Sequence, residues 1–141
     1  MKILPKVPDK ALCDDARSWS VQMANEQKLF NSPLATRENQ GESLLAGFSL
    51  SLLNAAKYWQ SQDQWWDHQK MMAIDSPRGS NADCFQFTQN MWRSTRQVCF
   101  GKVTGPDNLV YITGRYEPRG NIGNQFEENL FPPVEYPYRR K

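Results

Sequence analysis

The sequence predicts a layered α+β domain, with helices packed on a central antiparallel sheet. Three observations carry this. Leu12, Ala16, Trp19 and Met23 recur at helical spacing and form one apolar stripe. Two runs, 98–103 and 109–116, alternate bulky with small or polar residues and read as strands; Gly105-Pro106-Asp107-Asn108 between them has the turn chemistry of a hairpin. The segment from Phe85 to Thr95 reads as a helix feeding straight into that hairpin, with Phe87 and Met91 one turn apart.

Taken in order, residues 1–8 contain Pro5 and Pro8 and read as an extended lead-in. Asp9 is a good N-cap for the first helix, which is expected to end near Phe30, ahead of Asn31-Ser32-Pro33. Residues 31–43 cluster Pro33, Thr36, Asn39, Gln40 and Gly41 and read as a loop. Leu44 to Phe48 is expected to form a turn or short strand. A second helix is expected from Ser49 or Ser51 to Asp67, with Leu52, Ala56, Trp59 and Trp66 on one face. Residues 68–83, with Pro77, Gly79, Ser80 and Asn81, read as a polar connection. After the hairpin, residues 117–141 carry Pro118, Gly120, Gly123, Pro132, Pro133 and Pro137, and are expected to wrap the surface irregularly. Arg139-Arg140-Lys141 reads as a solvated tip.

By size the 141 residues make one domain, 1–141, long enough to bury a core to which five Trp, seven Phe and five Tyr contribute. A net charge of +2 gives no nucleic-acid footprint. No run is long enough for a transmembrane helix, and the first residues lack the apolar stretch of a signal peptide. Cys13, Cys84 and Cys99 are too few and too widely spaced for a disulfide framework. The favoured reading is three buried thiols in a reducing compartment; one disulfide plus a free thiol is the alternative.

Four motifs resemble a known family. Phe87-Thr88-Gln89-x-Met91-Trp92-x-x-Thr95 is similar to the first signature of the CAP superfamily (cysteine-rich secretory, antigen 5, pathogenesis-related 1). Arg115-Tyr116-x-Pro118-x-Gly120-Asn121 resembles its second, and Gly41-Glu42-Ser43-Leu44 its G-E-N-L. The stretch from Phe126 to Pro133 resembles the end of the Golgi-associated plant pathogenesis-related branch, with Phe126 as the anchor of a tail that docks back. The resemblance implies a three-layer α-β-α sandwich. It also implies an earlier helix carrying H-N-x-x-R, to which nothing here corresponds; its absence would leave part of the core open to a partner or dimer mate. Met1-Lys2 lacks the Gly that N-myristoylation needs and that the Golgi-associated relatives carry. These features favour an intracellular protein, cytoplasmic or peripheral to the Golgi; most of the family is secreted, which makes extracellular the alternative.

In that family two His and two acidic residues meet in a central cleft, where some members bind zinc or another divalent ion. Matched position by position, these places hold Asn31, Glu42, Ser61 and Gln86. One carboxylate with two amides and a hydroxyl suits neither zinc nor general acid–base chemistry near neutral pH. The expectation is a neutral hydrogen-bond network around a structural Glu42, with both amides and Ser61 donating to the carboxylate. No metal and no cofactor are expected.

The other candidates read as ordinary structure. His68 is the lone histidine and reads as a surface residue. Ser32, Ser94 and Thr95 lack a histidine base. Trp59 is expected in the core and Trp65 or Trp66 part-exposed, although together they could line a groove. Cys99 is expected in the core. The resemblance therefore implies a non-catalytic scaffold for a membrane lipid, a sterol or a protein. A homodimeric assembly protein is the alternative, and a hydrolase is disfavoured because no base is in sight.

Overall fold

Strand β5 (Val110–Glu117) is buried along all but its last residue, and the other elements are arranged on it. The structure, a computed structural model, describes residues 9–37, 39–74 and 82–130. The expected lead-in over 1–8, the breakers Pro77, Gly79, Ser80 and Asn81, and the tail from 131 to the basic tip lie outside the described residues.

β5 is the middle strand of an antiparallel sheet in the order β1 (Gly41–Gly47), β5, β4 (Gln97–Thr104). The β4–β5 loop is the expected hairpin turn. The Gly105 carbonyl accepts from Asn108 N at 3.0 Å, Asn108 sits at φ 66, and Asp107 Oδ1 accepts from Leu109 N at 3.1 Å. Pro106 fixes the first turn dihedral and Asn tolerates the left-handed one.

Helix α1 (Lys10–Glu26) covers one face of the sheet. Asp9 caps it as expected, its side chain accepting from Ala11 N at 3.1 Å. It buries Leu12, Ala16, Ser20, Met23 and Ala24, while Trp19 is half-buried against Phe30, its indole N–H donating to the Phe30 carbonyl at 2.9 Å. The helix ends at Glu26, not near Phe30: Gln27 turns left-handed (φ 51) and its N–H bonds back to the last turn. That reversal lets the chain return Phe30 to Trp19, ring centroids 5.0 Å apart. The helix sits very close to the sheet. A Cβ on Gly101 would lie 2.5 Å from the Arg17 backbone, and buried Ser20 Oγ bonds both the Gly101 carbonyl (3.1 Å) and Thr113 Oγ1 (2.8 Å).

The same interface carries a disulfide between Cys13 and Cys99, while Cys84 keeps its thiol and is buried. The reading of three thiols is therefore wrong and the alternative is right. Cys13 on α1 faces Cys99 on β4, a neighbourhood that a separation of 86 residues hides in the sequence. The case for a reducing compartment loses its cysteine argument with it.

The opposite face is covered by α2 (Leu52–Ser61) and α3 (Ala82–Met91). Trp59 is fully buried there, stacked on Phe100 with centroids 5.8 Å apart, and its indole donates to the Leu44 carbonyl at 3.1 Å. This completes an α-β-α sandwich. α2 is shorter than expected: a 3-10 turn over Gln62–Trp65 follows, then a small hairpin of β2 (Trp66–Asp67) and β3 (Met72–Ala73). Asp67 organises that hairpin by accepting from Gln69 N and Lys70 N.

His68 in this hairpin is half-buried, its ring edge-on to Phe87 at 6.1 Å, and so it is a packed residue, not the expected surface one. α3 buries Cys84, Phe87, Thr88 and Gln89 but exposes Met91, which was expected on the same face as Phe87. Trp66 and Trp92 are buried beside Phe126, which opens the short helix α4 (Phe126–Asn129) and docks the chain's return with stacked and edge contacts near 5 Å. Phe126 is the expected anchor.

Candidate functional site

Glu42 and Arg115 stand directly opposite one another on β1 and β5. Their side chains are 0 % and 7 % exposed, and Arg115 Nε donates to Glu42 Oε2 at 2.7 Å. Ser32 Oγ donates to the same oxygen at 2.8 Å, while Glu42 Oε1 accepts from Ser32 N (2.8 Å) and Asn31 Nδ2 (3.0 Å). Four donors and one positive charge therefore saturate this carboxylate. Arg115 is held in turn: Nη1 donates to Gln40 Oε1 at 2.8 Å and Nη2 to Ser32 Oγ at 3.3 Å. Gln40 reaches on to Asp15 of α1.

Of the four positions expected to converge, Asn31 and Glu42 are bonded to each other and Gln86 lines the same cleft. Gln86 does not donate to Glu42; its Oε1 accepts the Leu44 N–H at 2.6 Å. β1 is an edge strand, and its outward amide takes the acceptor the side chain offers. Ser61 is elsewhere: exposed at the end of α2, its hydroxyl donates to the Tyr58 carbonyl at 2.6 Å. Short hydroxyls commonly satisfy their own helix in this way. Nor is the network neutral. Arg115, read as a signature residue, is the partner of Glu42, and Ser32 contributes two of the four donors. The strand register that places Arg115 there was not readable, but Ser32 adjoins Asn31 in the sequence.

Asn31, Glu42 and Gln86 line a cleft of about 720 Å³. Leu29, Phe30 and Leu34 supply one wall; Phe85, Gln86 and Gln89 of α3 supply another; and the chain after β5 closes it with Arg119, Gly120 and Phe126. Leu34 belongs to a short 3-10 turn, Leu34–Thr36, which ends at Arg37. The Arg37 guanidinium also lines the cleft. Burial lowers its pKa from the ordinary arginine value, nearby Arg115 and Arg119 push the same way, and Glu42 opposes them. Arg119 is brought alongside by its backbone, whose N–H donates to the Asn39 carbonyl at 2.7 Å. Sequence reasoning singled out neither arginine.

The signature residues have structural reasons to occur together. Gln89 Oε1 accepts the Gly120 N–H at 2.7 Å, and its Nε2 donates to Thr95 Oγ1, which donates to the Pro118 carbonyl. Thr88 Oγ1 donates to Asn121 Oδ1 at 2.6 Å, and Asn121 Nδ2 donates to the Phe85 carbonyl at 2.7 Å. Gly41 and Gly120 leave room for this junction: a Cβ on Gly41 would lie 1.8 Å from Gln89 Oε1, and one on Gly120 2.7 Å from the Trp92 ring. Tyr116 bonds Ser43 Oγ at 2.9 Å.

Among the described residues, no group of three or more His, Cys, Asp or Glu is placed to hold a metal ion, and no helix is long and apolar enough to cross a membrane.

No protein-family model matches the chain. It is 30% identical over 134 residues to the Golgi-associated plant pathogenesis-related protein 1 of Homo sapiens, covering 90% of this chain and 82% of that protein. It is 35% identical over 111 residues to the pathogenesis-related protein PRMS of Zea mays, covering 76% of this chain and 61% of that protein. Among solved structures, BmVAL-1 has the same fold with a TM-score of 0.63 at 21% identity, over 82% of this chain and 60% of that one. With its four motifs in order and a human relative matched over most of both lengths, the chain belongs to the CAP superfamily, and its likeness there is to the Golgi-associated plant pathogenesis-related protein.

Proposed function

We propose that this CAP domain is a non-catalytic binding scaffold that has lost the metal-binding set of its family, and that its cleft takes an apolar ligand: a membrane lipid, a sterol or an apolar segment of a protein. The observation that carries this is the state of Glu42. A catalytic base needs a free lone pair, and a metal ligand needs an oxygen facing the ion. Both Glu42 oxygens already accept two hydrogen bonds, and a guanidinium neutralises the charge.

Zinc favours imidazole and thiolate. The places matched to the two family histidines hold amides instead, one bonded to Glu42 and the other to the Leu44 N–H. The residues present do not fit the ion, and we derive no chemistry through it. What remains is a roomy cleft, within the volume range of small-molecule sites, with Leu29, Phe30, Leu34, Phe85 and Phe126 on its walls.

Co-sedimentation with sterol-containing and anionic vesicles, run beside a pull-down for protein partners, tests this. Enrichment over a control protein in either assay is expected; none in both contradicts the proposal. Hydrolase activity abolished by Glu42→Gln would contradict its non-catalytic half.

A homodimeric assembly role is the second reading. It is favoured by Phe48 and Leu53, 70 % and 65 % exposed at the corner between β1 and α2, because large exposed apolar side chains grouped together mark contact surfaces. Light scattering across a concentration series separates it from a monomeric binder.

A further inference from the structure

Cys99, Arg115 and Glu42 form one row across the sheet: Arg115 of β5 stands opposite Cys99 on β4 and opposite Glu42 on β1. Directly opposed residues of antiparallel strands point to the same face. Here that face is the one α1 covers, because Cys99 is bonded to Cys13. The first turns of α1 are tied to the row twice. One tie is the disulfide. The other is a chain of hydrogen bonds: Gln40 Nε2 donates to Asp15 Oδ2 at 3.0 Å, and Gln40 Oε1 accepts from Arg115 Nη1 at 2.8 Å.

The two ties differ in strength. The Gln40–Asp15 bond is exposed, so water competes for it, and the disulfide carries most of the hold. Yet both of its cysteines are half-buried, not sealed in the core as Cys84 is. A disulfide within reach of solvent is the kind that thiols attack. Farther along, α1 is anchored without it: Ser20 Oγ bonds the Gly101 carbonyl and Thr113, and Met23 and Ala24 are buried. Gly101 is two residues from Cys99 and lies against the Arg17 backbone, one turn from Cys13. This anchor keeps the cysteines facing each other, Cα atoms 5.0 Å apart, when the bond is open. Leu12 and Ala16, buried under the first turns, limit any loosening there to fraying. Such a pair can be reached, opened and held ready to close.

We propose that the Cys13–Cys99 bond is a redox latch: a dithiol opens it in the folded protein, the first turns of α1 loosen, and Gln40 loses its fixed partner Asp15 beside Arg115 and the cleft residue Glu42. A thiolate of the dithiol attacks one sulfur, forming a mixed disulfide and releasing the other cysteine. The dithiol's second sulfur then displaces the first cysteine. The dithiol leaves as a cyclic disulfide, oxidised by two electrons, and its two protons go to Cys13 and Cys99. This regulation holds whatever the cleft binds.

The test treats the full chain with dithiothreitol at neutral pH without denaturant, followed by alkylation and peptide mass analysis. Labels on Cys13 and Cys99 are expected; labels that appear only in urea overturn the latch. Hydrogen exchange is then compared between the oxidised and reduced chains. Amides 11–16 should exchange about tenfold faster after reduction while β5 and α3 change less than about twofold, because local opening and global unfolding are separate events. Acceleration spread equally over β5 and α3 would make the bond a plain staple, and no acceleration would make α1 independent of it; either result overturns the proposal. Reoxidation must restore slow exchange, and failure to do so contradicts a latch. Gln40→Leu tests the link to Arg115 and Glu42: it should leave amides 11–16 unchanged in the oxidised chain and speed them about threefold further in the reduced one, where the second tie stands alone. Equal effects in the two states overturn the link.

Discussion

Glu42 was legible as the one acid of the site and as a structural group, but its partner was not. The amides of Asn31 and Gln86 were read as donors to it. Asn31 is one, whereas Gln86 serves the exposed edge of β1. An amide can donate or accept, and only the pairing of the neighbouring strand decides which. The charge on Glu42 is met by Arg115, 73 residues away in sequence and opposite it in register. Removing one member of a buried pair strands the other. Arg115→Ala should therefore cost about 3–5 kcal/mol in urea unfolding, against almost nothing for Arg96→Ala at the exposed start of the β4 hairpin.

Tyr116 makes a second prediction. Burial pushes its phenol up to about 12, with the Ser43 hydroxyl pulling slightly the other way. Tyr111 is likewise pushed up to about 12, by burial and then by its bond to Asp107. Unfolded tyrosine loses its proton near pH 10. Between pH 10 and 12 the unfolded chain thus binds fewer protons than the folded one, so stability present below pH 10 is lost as the pH rises. The slope for each phenol approaches about 1.4 kcal/mol per pH unit. Tyr116→Phe should flatten the alkaline limb of a stability–pH curve accordingly, and an unchanged limb would show that its burial has been misjudged.

At the scale of elements, patterns confined to one segment were readable and patterns joining segments were not. The N-cap of α1, the β4–β5 hairpin and its turn follow from local residue chemistry, and they stand where expected. The end of α1 does not, because a left-handed Gln27 is imposed by the return of Phe30 to Trp19. The β2–β3 hairpin was hidden for a similar reason: two-residue strands carry no period to detect. The contact of α1 with the sheet was also invisible, since Gly101 and the Cys13–Cys99 bond acquire meaning only together. Gly101→Ala must push the Arg17 backbone outward, and overpacking of this kind costs about 1–3 kcal/mol; a fall in melting temperature with an intact disulfide is the expected result. Reducing that disulfide in the wild-type chain should cost about 2–5 kcal/mol, since it closes a long loop in the unfolded state. No change in the urea midpoint with a strong reductant would contradict its structural role.

On the scale of the whole molecule, the two family signatures are the two sides of one junction. Thr88 and Gln89 on α3 hold Asn121 and Gly120, and Thr95 holds Pro118. That is why motifs some 30 residues apart in the sequence announced the sandwich correctly, and why they announced less about the cleft beside them. The scaffold depends on those bonds, whereas the cleft's character depends also on Arg37 and Ser32, which lie outside every motif, and on Arg119, which fills an unspecified position of the second signature. Walls and contents of this fold are specified by only partly overlapping residues, so some of the contents can change while the walls persist.

The most direct test of that separation is calorimetric titration of the purified chain with zinc. The account predicts no saturable one-to-one heat, in the wild type or in Glu42→Gln. A tight stoichiometric uptake by the wild type that disappears in Glu42→Gln would mean that the carboxylate is available to an ion after all, and would contradict it.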